Sequence, residues 1–289
     1  QSPLKQLVAA TSVGIVGAVP LGSGMPSCKK SAYSTQPPPS TPVINAKLTT
    51  NASLGAVITD SAGNSLYFFS LDASGNSACM GGCLTTWPVF YTSSVITGTG
   101  LDLKDFNSIT RSDGSKQTTY KGWPLYYFQN DSKPGDVKGE GIGNIWFVAK
   151  PDYTVMLANT QLVGKDAVSY DSTYHPGTGV TQYLTDDRGV TLYSFTIDKA
   201  NKNNYTAADF SNDAIWPIYQ AKAPLVAPSI IDQSLLTMID VFGKKQLVFK
   251  GWPIYYFGED AGKRGSTKGV SVPTPGIWPV VNQYSVAAP

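Results

Sequence analysis

The sequence is poor in charge, in histidine and in long hydrophobic runs. Charged residues make up 15% of the chain, against roughly a quarter in an average soluble domain. The net charge is only +2 and no long basic run occurs, so nucleic-acid binding has little electrostatic support. A single histidine, His175, excludes a multi-histidine metal centre. Any Ser-His-Asp or Cys-His mechanism would have to use that one residue. No Gly-x-Ser-x-Gly, phosphate loop or dinucleotide fingerprint is found. These gaps lead to the expectation of no cofactor, no metal site and no catalytic residues.

The amino acids that are present describe a different kind of protein. Of the 289 residues, 42% are hydrophobic, and Gly (28), Pro (20) and Tyr (16) are abundant. That mixture suits short strands joined by turns better than long helices. The first residues read as an export signal: Lys5, then the apolar run Leu7 to Val19, then Pro20 and Gly22, then Met25-Pro26-Ser27-Cys28. The run is short and Gly-rich for a membrane span. The stretch resembles a lipoprotein signal ending in a lipobox, which implies a signal peptide over 1–27 and lipidation of Cys28. Residues 28–45, rich in Ser, Thr and Pro, read as a lipidated cysteine followed by a flexible tether.

The strongest signal is internal repetition. An aliphatic-Tyr-x-Phe-x-x-Asp string occurs four times, with motif residues Tyr67, Phe69 and Asp72; Tyr126, Phe128 and Asp131; Tyr193, Phe195 and Asp198; and Tyr255, Phe257 and Asp260. The Tyr-to-Tyr spacings are 59, 67 and 62 residues, and a tryptophan follows each Asp after 15 or 18 residues, at Trp87, Trp146, Trp216 and Trp278. Copies two and four share Lys-Gly-Trp-Pro before the motif (Lys121–Pro124 and Lys250–Pro253), whereas copies one and three share Thr59-Asp60 and Thr185-Asp186. The pattern predicts two duplicated pairs, over 46–150 and 179–289, with a connector of turn character over 151–178 that holds Tyr174-His175-Pro176-Gly177.

Residues two apart on a strand share a face, so each Tyr and Phe should point to one common side. The preceding aliphatic residue and the third motif position should lie on a second, less demanding face. The motif Asp, ending the strand before small residues, should accept backbone N–H bonds and fix a turn. Calcium binding would need several oxygen ligands at close spacing, and one Asp per copy does not supply them. The expected fold is all-β and antiparallel, with four repeat units of about 60 residues, each long enough for three or four strands. A propeller-like ring and two paired domains are the competing arrangements. Trp123, Trp252, Tyr127 and Tyr256 are read as core residues in preference to exposed platforms for a ligand.

These strings resemble the bacterial family of secreted repeat lipoproteins described by a Tyr-x-(Phe/Trp/Tyr)-x-x-Asp motif, over about 46–285. The resemblance implies tandem repeats and an envelope location, and no known activity. The family also often carries Cys-x3-Cys before Trp-Pro, as Cys79 and Cys83 do here before Trp87-Pro88; the third copy has no cysteine there. Outside the cytoplasm two such thiols usually form a disulfide. A redox-active pair or a soft-metal site recruiting Met80 are the alternatives. The functional expectation is a non-catalytic, envelope-anchored repeat lipoprotein, structural or partner-binding. The alternatives are a redox or metal-handling lipoprotein using Cys79 and Cys83, and an envelope glycan hydrolase with a carboxylate pair. Expected partners are the lipid bilayer, through the acyl anchor, and another envelope protein or a glycan. The expected location is the outer side of the cytoplasmic membrane or the outer membrane.

Overall fold

Short hairpins dominate because apolar and β-branched runs of about five residues are cut by Gly, Asn and Asp. The computed structural model describes residues 45–289. The segment expected to be a signal, 1–27, the expected lipidation site Cys28 and the expected tether as far as residue 44 lie outside the described residues. Strand β1 (Lys47–Asn51) turns into β2 (Gly55–Thr59), with Asn51 Oδ1 accepting the amides of Ser53 and Leu54. Strand β3 (Tyr67–Phe69) carries the first motif. Strands β4 (Phe106–Thr110), β5 (Lys116–Tyr120) and β6 (Trp123–Pro124) form an antiparallel meander. Strand β7 (Trp146–Val148) returns to pair with β3.

The second half repeats this plan. Strand β8 (Met156–Val163) pairs with β9 (Ser169–Tyr170) and with β10 (Val180–Thr185). The second meander is β11 (Leu236–Val241), β12 (Lys244–Phe249) and β13 (Trp252–Pro253). The tight turns of the two meanders place Gly114 and Gly243 at φ +84° and +88°, a backbone region open to glycine at little cost. The turns at Asp60–Asn64 and Asp186–Val190 close as the sequence suggests, with Asp60 N–H donating to Asn64 C=O and Asp186 N–H to Val190 C=O.

The described residues thus form five small antiparallel sheets of two or three strands, with one short α-helix, α1 (Cys83–Thr86), and a few single 3-10 turns. Among them there is no closed barrel or propeller. The segment 151–178 contains β8, at eight residues the longest strand among the described residues. It is the second-half counterpart of β1, and the Tyr174-His175-Pro176-Gly177 turn lies in the excursion between β8 and β10. The strand sequence MLANTQLV does not alternate strictly, because its first three residues are all buried. A period-two reading therefore passes over it.

The core has three parts. The central one takes Leu66, Leu125, Leu192 and Ile254, the aliphatic residue of every motif, all 0% exposed, together with Phe68, Phe147, Leu184 and Leu247. The face expected to be less demanding is therefore the interior shared by both halves, and this corrects the expectation. The motif tyrosines fill two flanking aromatic clusters, one in each half, together with the tryptophans that follow the motifs.

Candidate functional site

The motif residues assemble pairwise. Tyr67 and Tyr126 bond each other through both backbone N–H···O=C contacts, at 2.8 and 3.1 Å, and Tyr193 and Tyr255 do the same at 2.9 and 2.9 Å. Copy one alone extends this into a ladder. Tyr126, Tyr193 and Tyr255 are held by isolated bridges, so the predicted strands are, for three copies, single extended contacts.

This pairing crosses the side chains. The Tyr67 hydroxyl donates to Asp131 Oδ2 at 2.6 Å and the Tyr126 hydroxyl to Asp72 Oδ2 at 2.7 Å. In the second half Tyr193 donates to Asp260 at 2.6 Å and Tyr255 to Asp198 at 2.7 Å. Each tyrosine therefore serves the aspartate of the other copy. The remaining oxygen, Oδ1, accepts a backbone N–H a few residues downstream: from Ala78 to Asp72, Lys138 to Asp131, Asn204 to Asp198 and Lys268 to Asp260, at 2.6–3.0 Å. The turn-fixing role expected of the aspartates is present, joined to a cross-copy bond that the sequence did not disclose.

A second tier repeats the logic. Tyr127 donates to Asp60 Oδ2 and Tyr256 to Asp186 Oδ2, each at 3.0 Å. The Thr-Asp lead-in of copies one and three thus meets the third motif position of copies two and four.

Burial sets the charge state of these carboxyls. Asp72 and Asp198 are 0% exposed. Desolvation pushes Asp72 up to about 7 and Asp198 up to about 6, against the lowering effect of their hydrogen bonds. Asp131 and Asp260 are raised for the same first cause. Burial also drives the four motif tyrosines well above the ordinary phenol range, so each acts as a donor.

Around the pairs the aromatic rings stack. Phe69, Trp146, Trp87 and Phe128 form one run with centroid spacings of 3.9, 3.8 and 4.5 Å. Phe195, Trp278, Trp216 and Phe257 form its counterpart at 4.3, 3.8 and 4.5 Å. Gly139 and Gly269 lie against these runs. A Cβ at Gly139 would stand 2.8 Å from Trp87 and Tyr67, and one at Gly269 the same distance from Trp216 and Tyr193. The recurring Lys138-Gly139 and Lys268-Gly269 were the available sequence signal for these two glycines.

Cys79 and Cys83 form a disulfide at the start of α1, so the two sulfurs are bonded to each other. Arg111 holds the loop by donating to the Cys79 carbonyl at 2.6 Å and to Met80 Sδ at 3.2 Å. The cysteine-free turn of copy three is fixed instead by Asn203 and Asn212 side chains and by Tyr205, whose ring meets Trp278 edge-on at 4.9 Å. Among the described residues no group of three or more His, Cys, Asp or Glu side chains is placed to hold a metal ion. His175 bonds Thr173 within its own exposed loop. Trp123 is fully buried in the central core, whereas Trp252 is partly exposed beside a surface cavity.

The geometry of copies one and two has a counterpart among known sequences. Residues 48–91 and 107–150 each match the model of a family described as a secreted repeat of unknown function. The first half of the chain thus carries two segments similar to that family's repeat. Each match runs from a hairpin strand through a Tyr-x-x-x-x-Asp motif and the tryptophan that follows it. The second half carries the same crossed bonds and ring stack. No curated protein and no solved structure matches the chain.

Proposed function

We propose that this secreted repeat protein is a non-catalytic module, anchored at the cell envelope through a lipidated Cys28, that presents a rigid body to a partner. The observation carrying this reading is the fate of the four motif carboxylates. Each has both oxygens committed to internal hydrogen bonds, and Asp72, Asp198 and Asp260 are buried. Side chains that recur in every unit are thereby used to hold the unit, which leaves the irregular loops to carry recognition. The anchor rests on the Met25-Pro26-Ser27-Cys28 string that follows the apolar run.

Growth of an expressing bacterium with an alkyne-tagged palmitate tests the anchor. The chain should take up label and sediment with membranes, and Cys28→Ser should lose both. Label that persists in Cys28→Ser would sink the anchoring claim. Recovery of the wild-type chain from native envelopes after cross-linking should yield a stoichiometric companion, protein or glycan. A companion consumed and released as a smaller product would refute the non-catalytic assignment.

A further inference from the structure

Two adjoining cavities, of about 400 and 380 Å³, share Ser172, Asn282 and Tyr284 in their walls, and the smaller one also reaches Gly143, Asn144 and Ile145 of the first half. Tyr284 stands between them with 74% of its surface exposed, its backbone N–H fixed on Asn282 Oδ1 at 2.8 Å. On one side the wall is aromatic, with Tyr174 and Trp252. The Trp252 indole N–H donates to the Val286 carbonyl at 2.8 Å.

On the other side the wall is built of amides. Gln283 donates to Gln182 at 2.9 Å, and Gln182 donates to Asn159 at 3.3 Å and to the Asn144 carbonyl at 3.0 Å, which fixes the orientation of the chain of amides. Thr181 lines the same cavity at 4% exposure, and its hydroxyl has no hydrogen-bond partner among the described residues. No charged side chain lines either cavity.

Wall chemistry of this kind selects its ligand. A charged group would enter without a counter-charge, and a wholly apolar one would desolvate amides and hydroxyls with nothing in return. A neutral sugar offers a C–H face for an aromatic ring and hydroxyls that both donate and accept, which amides and Ser or Thr can match. We propose that this double cavity binds a neutral oligosaccharide, with Tyr284 stacked between two successive sugar rings and Thr181 and the amides reading the hydroxyls of one of them. This deepens the partner-binding reading above and rests on it, with the partner's chemistry now stated.

The test uses the purified full chain titrated with maltotriose, cellotriose, xylotriose and triacetylchitotriose, followed by tryptophan fluorescence and saturation-transfer NMR. Trigalacturonate is the acidic control. At least one neutral trisaccharide should bind saturably. Tyr284→Ala should weaken it by about tenfold, the loss typical of an aromatic anchor, with no change in thermal unfolding because the ring is exposed. Thr181→Val should weaken it by a smaller factor. The proposal is overturned if none of the neutral sugars binds, if Tyr284→Ala binds as well as wild type, or if the acidic sugar binds equally. Envelope retention is measured on the same variants. No sugar binding by the wild-type chain with its envelope retention intact defeats the site alone, whereas loss of label and sedimentation in the wild type defeats the anchored reading and leaves the site standing.

Discussion

Removing one hydroxyl from a crossed pair should have a cost that depends on pH. In Tyr126→Phe the Asp72 carboxyl loses a 2.7 Å donor in a site that is 0% exposed. Desolvation already holds Asp72 up to about 7, so above that value the tyrosine serves a carboxylate, and well below it a neutral acid. A hydrogen bond to a charged group is worth about 1.5–3 kcal/mol and a neutral one about 1 kcal/mol. The variant should therefore lose about 2 kcal/mol at a pH near 8.5 and about half of that near pH 5.

The wild-type chain has a linked pH dependence. An unfolded aspartate titrates near 4, so between there and about 7 the folded chain keeps a proton on Asp72 that the unfolded chain has released. That contribution is complete below the unfolded value and is lost as pH rises through the folded one, with a slope of at most about 1.4 kcal/mol per pH unit. Asp198 adds the same trend up to about 6. Urea unfolding followed by tryptophan fluorescence at several pH values measures both effects. Equal losses for Tyr126→Phe at both ends, or wild-type stability rising between pH 5 and 7, would refute the reasoning.

Other perturbations follow from the same geometry. Gly139→Ala puts a methyl group 2.8 Å from Trp87 and Tyr67 and should cost about 1–3 kcal/mol by overpacking. Gly177→Ala, whose nearest foreign atom lies at 3.8 Å, should leave the melting temperature almost unchanged. Replacing Cys79 and Cys83 by serine opens a small loop and should cost about 2 kcal/mol by loop-closure entropy, read as a lower urea midpoint that no longer responds to reductant. Arg264 lies 4.3 Å over the Trp123 ring and donates to the Lys121 carbonyl at 2.9 Å, while burial lowers its guanidinium to about 10. Arg264→Met keeps the packing and sheds the desolvation cost, so it should lose less than about 1 kcal/mol, against about 3 kcal/mol for Arg264→Ala; calorimetry distinguishes them.

The alternation in Leu66-Tyr67-Phe68-Phe69 was enough to assign faces, because a period of two survives even in a three-residue strand. The turns at Asp60 and Asp186 were legible from their Gly and Asp content, for the same local reason. Which aspartate each tyrosine would meet was not legible. Tyr67 is five residues from Asp72 but bonds Asp131, and nothing in the spacing within one copy distinguishes the two. The second face was underrated because Phe68, Tyr127, Ser194 and Tyr256 differ in size. Variation there reflects different neighbours in one central core, where Phe68 meets Trp123 and Tyr153 while Tyr127 meets Phe90. The double cavity escaped sequence reading because its walls come from widely separated segments, among them Asn144, Asn159, Ser172, Thr181, Trp252 and Tyr284, which no periodicity connects.

Crossed bonding explains why the repeats come in twos. A single copy would bury an aspartate with one oxygen unserved and a tyrosine hydroxyl with no acceptor, and each orphaned group costs about 1–3 kcal/mol. Two copies related by mutual exchange satisfy both defects at once and bring two tryptophans to 3.8 Å. The pairs are joined by other means. The aliphatic residue of every motif enters the common core, and Arg264 of copy four lies against the backbone of Gly75, Gly122 and Gly189, one glycine from each of the other copies. A Cβ at Gly122 would come within 2.9 Å of that guanidinium and one at Gly189 within 2.8 Å. The Tyr–Asp exchange therefore closes each pair, while aliphatic burial, Arg264 and the Lys121–Asp187 and Arg188–Asp105 ion pairs, both at 2.6 Å, bind pair to pair. Loss of an exchange bond should weaken its own half first, whereas a change at Leu66, Leu192 or Arg264 acts on both halves together.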